Sequence, residues 1–131
     1  MIVGLGTDIV EIARIEERIP AAGDEALLSC RLAKRVLTEA EFEFFICSTQ
    51  PGRYLAKRFA AKEAAAKALG TGIGRGVSFQ HIEISNNELG APLVQFTAGA
   101  QLRLEELGGS RAHISIADEK HYATATVILE S

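Results

Sequence analysis

The stretch AHISIADEKHYATATVIL, residues 112–129, decides the fold class. Two runs within it, Ala112–Ala117 and Tyr122–Leu129, alternate in side-chain character with the period of two expected of half-buried strands. They flank a short polar turn at Asp118–His121, so the pair reads as an antiparallel hairpin. Upstream, the loop Asn86–Pro92 joins a strand expected at Val77–Ser85 to one at Leu93–Thr97, a second hairpin. With no strict βαβ alternation, the pattern predicts an α+β fold, a mainly antiparallel sheet packed with helices.

Residues 2–10 read as a further strand, rich in β-formers and broken by Gly4 and Gly6. Ile12, Ile15 and Ile19 then fall at helical spacing, ended by Pro20 and Gly23, and a second helical patch runs from Glu25 to Lys34. Thr38, with Glu41 three residues on, forms a capping box that opens a helix through Phe42, Phe45 and Ile46, stopped by Pro51-Gly52. The longest helix is expected over Arg53–Leu69, closed by Gly70, and another near Gly99–Leu107 before Gly108-Gly109.

A chain of 131 residues without repeats or evident linkers reads as a single domain, 1–131. Apolar residues are 47% and charged residues 24%, a globular composition, and nothing in a net charge of -3 suggests a nucleic-acid or membrane-surface binder. Mean hydropathy of +0.12 is slightly high for so small a domain and hints at apolar surface covered by other subunits. Cys30 and Cys47 have no metal-ligand spacing and read as reduced thiols. The first residues resemble no signal peptide and no apolar run is long enough to span a bilayer, so a cytoplasmic protein is expected.

Four features could carry chemistry. Asp8 is a carboxylate among apolar strand neighbours; it either caps the following helix or meets a cation. Glu11 and Arg14 read as a solvated ion pair. In the helix over Arg53–Leu69, Lys62 projects into the stripe of Leu55, Phe59, Ala66 and Leu69, where it either snorkels or meets an anion; Glu63 and Lys67 lie at its edge. Arg53, Lys57 and Arg58 make the same helix basic within an acidic protein, which suits an anionic ligand or an acidic partner. The run Gly70-Thr-Gly-Ile-Gly-Arg-Gly76 allows backbone amides to approach a phosphate. Gly4-Leu-Gly6 lacks the third glycine of a dinucleotide fingerprint, and no His/Cys cluster suits zinc; any metal would be a hard cation such as magnesium.

Together these segments resemble a known family. GLGTDIVEIARI, residues 4–15, is similar to the N-terminal signature of the holo-[acyl-carrier-protein] synthases, the single-domain 4'-phosphopantetheinyl transferases. RFAAKEAAAKALGTG, residues 58–72, resembles their Lys-Glu-Ala helix; the Gly90-Ala-Pro92 turn and the His113-Ile-Ser-Ile strand followed by Tyr122-Ala also match. The resemblance implies transfer of 4'-phosphopantetheine from coenzyme A to a serine of apo-acyl carrier protein, releasing adenosine 3',5'-bisphosphate, with fatty-acid synthesis the expected context. It implies magnesium on Asp8 and Glu63, charge stabilisation by Lys67 and Lys62, and coenzyme contacts from Arg58, Lys62, Lys67, Gly70, Thr71, Gly72, Pro92 and His113. It implies a homotrimer with sites between subunits, and carrier docking on Arg14, Arg31, Lys34 and Arg35. The base that takes the serine proton stays open between a carboxylate and a water on the metal. Ala117-Asp118 stands where many relatives have Ser-His, so no histidine role carries over there. A coenzyme-binding module without catalysis, or an interaction protein with a basic docking helix, would account for fewer of these residues; only an enzyme needs both carboxylates.

Overall fold

A computed structural model of the chain describes residues 1–20 and 23–131. Three strands, β1 (Ile2–Glu11), β4 (Arg111–Asp118) and β5 (Tyr122–Glu130), form an antiparallel sheet in the order β1-β5-β4. A separate hairpin, β2 (Ile82–Asn86) with β3 (Pro92–Phe96), lies with β3 beside β4. The remaining elements are α1 (Ile12–Glu16), α2 (Gly23–Leu28), α3 (Arg31–Val36), α4 (Glu39–Cys47), α5 (Pro51–Ala68) and α6 (Ala98–Glu106).

The alternation read in residues 112–129 has a physical cause. Ala123, Ala125, Val127 and Leu129 of β5 are buried, and the residues between them point to the other face. The buried row packs on α5, which presents Ala60, Ala61, Ala64, Ala65 and Ala68. On β1, glycine replaces the side chain where backbone meets backbone. A Cβ at Gly6 would collide with the Ala64 carbonyl oxygen, and one at Gly4 with that of Ala68. The two glycines that look like part of a nucleotide fingerprint therefore serve helix–strand contact. A second core joins α1, α3, α4 and the first half of α5 around Phe45, Leu55 and Phe79.

Several expected boundaries shift. The helix read through Ile19 ends at Glu16, because i→i−3 bonds from Arg18 and Ile19 tighten the chain ahead of Pro20. The patch at 25–34 is two helices separated at Ser29–Cys30. Pro51-Gly52 does not stop a helix; α4 has already ended at Cys47, and Pro51 opens α5 in the first turn, where its missing N–H is no loss. The strand expected over Val77–Ser85 begins only at Ile82, after a 3₁₀ turn at Phe79–His81 in which Ser78 N–H donates to His81 Nδ1 at 3.2 Å. The Thr38/Glu41 capping box forms as expected.

Candidate active site

Strand β1 and helix α5 bring Asp8, Glu63 and Lys67 together. Asp8 does not cap α1; its carboxylate accepts from Lys67 Nζ at 2.9 Å, and Lys67 also donates to the Thr7 carbonyl at 3.0 Å. Glu63 and Lys67 lie one turn apart on α5. Burial pushes the Glu63 carboxyl above the usual carboxylate range, and the neighbouring Asp8 charge adds to that, against the pull of Lys67 and Arg35. Two carboxylates near enough to feel each other's charge, with one cation beside them, are hard oxygen donors of the kind a divalent cation takes. Among the described residues no third His, Cys, Asp or Glu joins them, so the rest of a coordination shell would come from ligand and water oxygens.

Lys62, the anomaly of the apolar stripe, does not belong to this group. It is fully buried, and its ammonium donates to Glu41 Oε1, to the Val36 carbonyl at 2.7 Å and to the Phe79 carbonyl at 3.1 Å. All three protons are engaged inside the protein, which leaves none for a phosphate. The anion it meets is Glu41, whose other carboxylate oxygen accepts from Ile84 N–H at 2.7 Å. Burial pushes the Lys62 ammonium down against the pull of Glu41. Glu41 is legible as a capping residue, but nothing in the sequence marks it as the partner of Lys62.

Arg58 opens a different location. Its guanidinium stacks over the Tyr54 ring at 4.9 Å and donates to Asn86 Oδ1 at 2.8 Å. The side chain is buried, yet Arg58 Nε has no partner. It borders a cleft of about 460 Å³ lined by Tyr54, Lys57, Glu83, Asn86, Gly90 and Pro92. Arg58 and Pro92 are thus brought together as expected, but Arg58 and Glu63, five residues apart, point about 140° apart around α5. Glu83 and Asn86 on β2 and Tyr54 on α5 escape the sequence reading, because a single polar residue in a hairpin or helix carries no periodic signal of a site.

The other expected residues are dispersed. Gly70 and Thr71 border an open depression with Arg75 and Arg103, and Gly72 lies outside its lining. Positive φ at Gly70, Gly72, Gly74, Arg75 and Gly76 shows that this loop needs left-handed backbone. His113, on the sheet, sits 3.0 Å from Glu130 and touches neither location. Arg14 is exposed on α1 and paired with Glu11 at 3.4 Å; Arg31, Lys34 and Arg35 lie on α3 and are exposed. Asp118 holds Arg53 at 2.8 Å and Lys57 at 3.6 Å, which gives it a structural duty in place of any histidine.

The family model for the 4'-phosphopantetheinyl transferase superfamily matches residues 4–127. The chain belongs to that superfamily. It is 86% identical over its full length to the holo-[acyl-carrier-protein] synthase of Shewanella halifaxensis, with all of both chains covered. Among solved structures of the superfamily, the holo-[acyl-carrier-protein] synthase of Neisseria meningitidis matches with a TM-score of 0.85 at 42% identity, covering 100% of each chain. That of Bacillus anthracis, in complex with coenzyme A (3',5'-ADP), matches with a TM-score of 0.79 at 37% identity, over 100% of this chain and 98% of its own. Among the described residues, Asp8, Glu63 and Lys67 bring acidic and cationic side chains together between β1 and α5.

Proposed function

We propose that the protein transfers the 4'-phosphopantetheine group of coenzyme A to a serine of apo-acyl carrier protein, as a holo-[acyl-carrier-protein] synthase. In that reaction the serine oxygen forms a bond to the diphosphate phosphorus next to pantetheine. The bond to the nucleotide breaks, and adenosine 3',5'-bisphosphate leaves. The carrying observation is the Asp8–Lys67 contact beside Glu63. Asp8 and Glu63 would hold a magnesium ion, which when bound supplies positive charge to the diphosphate. Lys67, half-exposed next to the pair and with one ammonium proton beyond its bonds to Asp8 and the Thr7 carbonyl, would offset the growing charge on a leaving phosphate.

Arg58 supports a nucleotide site in the cleft it borders, since a buried guanidinium with an unpartnered Nε suits the phosphate of the bisphosphate end. That cleft and the carboxylates lie on different sides of α5. A coenzyme that uses both Arg58 and the carboxylates would therefore draw them from neighbouring subunits, which accords with the homotrimer that the family resemblance implies. Leu5 at 65% and Ile9 at 66% exposure give the sheet an uncovered apolar face that suits such an assembly. Among the described residues no helix is long and apolar enough to cross a membrane, and cytoplasmic action on a carrier of fatty-acid synthesis fits the substrates.

The test is intact mass spectrometry of apo-carrier after incubation with the protein, coenzyme A and magnesium. A gain of one phosphopantetheine that a chelator abolishes is expected. No gain, with coenzyme A still binding by calorimetry, overturns the transferase reading for that carrier.

The carrier is acidic, so the exposed Arg14 should steer it. Arg14→Glu is expected to raise the KM for carrier about tenfold and that for coenzyme A less than about twofold. Steady-state kinetics in each substrate decide it, and equal effects on both rule the docking role out.

A further inference from the structure

Helix α3 is only six residues long and cannot be stable by itself. Its last intrahelical bond runs from Leu37 N–H to the Ala33 carbonyl, so the carbonyls of Lys34, Arg35, Val36 and Leu37 have no partner within the helix. No glycine caps it; Leu37 is extended at φ -95 and ψ 140. All four carbonyls are instead met by two side chains from elsewhere in the chain. Gln80 Nε2 gives one N–H to the Leu37 carbonyl at 2.8 Å and shares the other between the Lys34 and Arg35 carbonyls, both at 3.2 Å. Lys62 Nζ takes the Val36 carbonyl at 2.7 Å. An ammonium in that position also complements the negative end of the helix.

The same two side chains tie α3 to the site. Lys62 precedes Glu63 on α5. Gln80 follows Phe79, whose carbonyl is another Lys62 acceptor and whose ring lies 5.7 Å from the Arg35 guanidinium. The helix bearing Arg31, Lys34 and Arg35 is thus fastened at one end to the residue adjoining a proposed metal ligand.

We propose that Gln80 and Lys62 are positioning residues for the acyl carrier protein: they latch the C-terminus of α3 so that its basic side chains are held at a fixed place relative to Glu63. This inference rests on the reading of α3 as part of the carrier-docking surface. Gln80 is exposed, and its removal leaves the cores intact, so it is the residue to change.

The experiment uses the whole protein and measures steady-state kinetics in each substrate, together with hydrogen exchange of the α3 amides. Gln80→Ala is expected to raise the KM for apo-carrier about fivefold, with kcat and the KM for coenzyme A changed less than about twofold. Amide exchange in α3 should quicken about tenfold. Gln80→Glu, which turns the donor into an acceptor facing three carbonyls, should have a larger effect of the same kind. Faster exchange without a change in carrier KM makes the cap purely structural and overturns the proposal, as does an equal rise in both KM values. Unchanged exchange shows that no latch exists. Lys34→Glu separates the underlying reading: if it leaves carrier KM unaltered while Gln80→Ala still loosens α3, the docking assignment of α3 falls and takes the proposal with it.

Discussion

Glu63→Gln is expected to lower kcat by about a thousandfold while making the protein more stable, not less, at neutral pH. The amide keeps the shape of the side chain but cannot share a divalent cation with Asp8 or counter its charge. The stability gain follows from the same contact. The Glu63 carboxyl is held above its usual range by burial first and by the Asp8 charge second. A group whose folded pKa is raised contributes stability below its unfolded pKa and loses it as pH rises through the folded value. Charged Glu63 therefore costs the apo-protein stability at neutral pH, a cost that disappears at about pH 4 and below. Thermal melts with chelator at both pH values should show a gap between variant and wild type at neutral pH that closes in acid. Near-normal turnover in the variant would sink the metal assignment; a melting temperature below wild type at neutral pH would sink the electrostatic one.

The second large effect concerns a residue that no ligand reaches. Lys62→Met leaves Glu41, 2% exposed, as a buried charge without its cation, and leaves the Val36 and Phe79 carbonyls without a donor. Breaking one side of a buried pair costs about 3–5 kcal/mol. The double variant Glu41→Gln with Lys62→Met removes both charges and should recover at least about 1 kcal/mol of that loss. Denaturant titration measures both. A single-variant loss below about 1 kcal/mol would show that the pair is not held in the folded state. Because Lys62 has no free proton for a phosphate, the KM for coenzyme A of the surviving folded protein should stay within about twofold of wild type.

The sequence pattern made the sheet legible where one side chain in two is buried, as in β5, and the helix legible where capping chemistry is local, as at Thr38 and Glu41. It failed where the deciding partner is distant in the chain. Pro51 is an ambiguous signal of another kind: a proline can stop one helix or open the next, and here α4 has ended at Cys47 and Pro51 only opens α5. Periodicity showed that Lys62 faces the interior but could not show that a carboxylate 21 residues earlier waits there. The Asp8–Glu63–Lys67 group was legible because two signatures carry it. Tyr54, Asn86 and Glu83 around Arg58 were not, since each belongs to a segment whose local pattern says only helix or hairpin.

The seat of Gly4 and Gly6 on the Ala64 and Ala68 carbonyls has a consequence for how the protein can drift. The spacing between the strand that carries Asp8 and the helix that carries Glu63 is set by main chain against main chain. The first atoms met there are carbonyl oxygens, with the Leu129 and Lys67 side chains farther off. Substitutions elsewhere in the two cores can accumulate and compensate one another without moving the carboxylates, whereas a single methyl added at either glycine forces the elements apart. The chemistry is thereby insulated from ordinary sequence turnover, and the points of vulnerability shrink to two positions that have no side chain to lose.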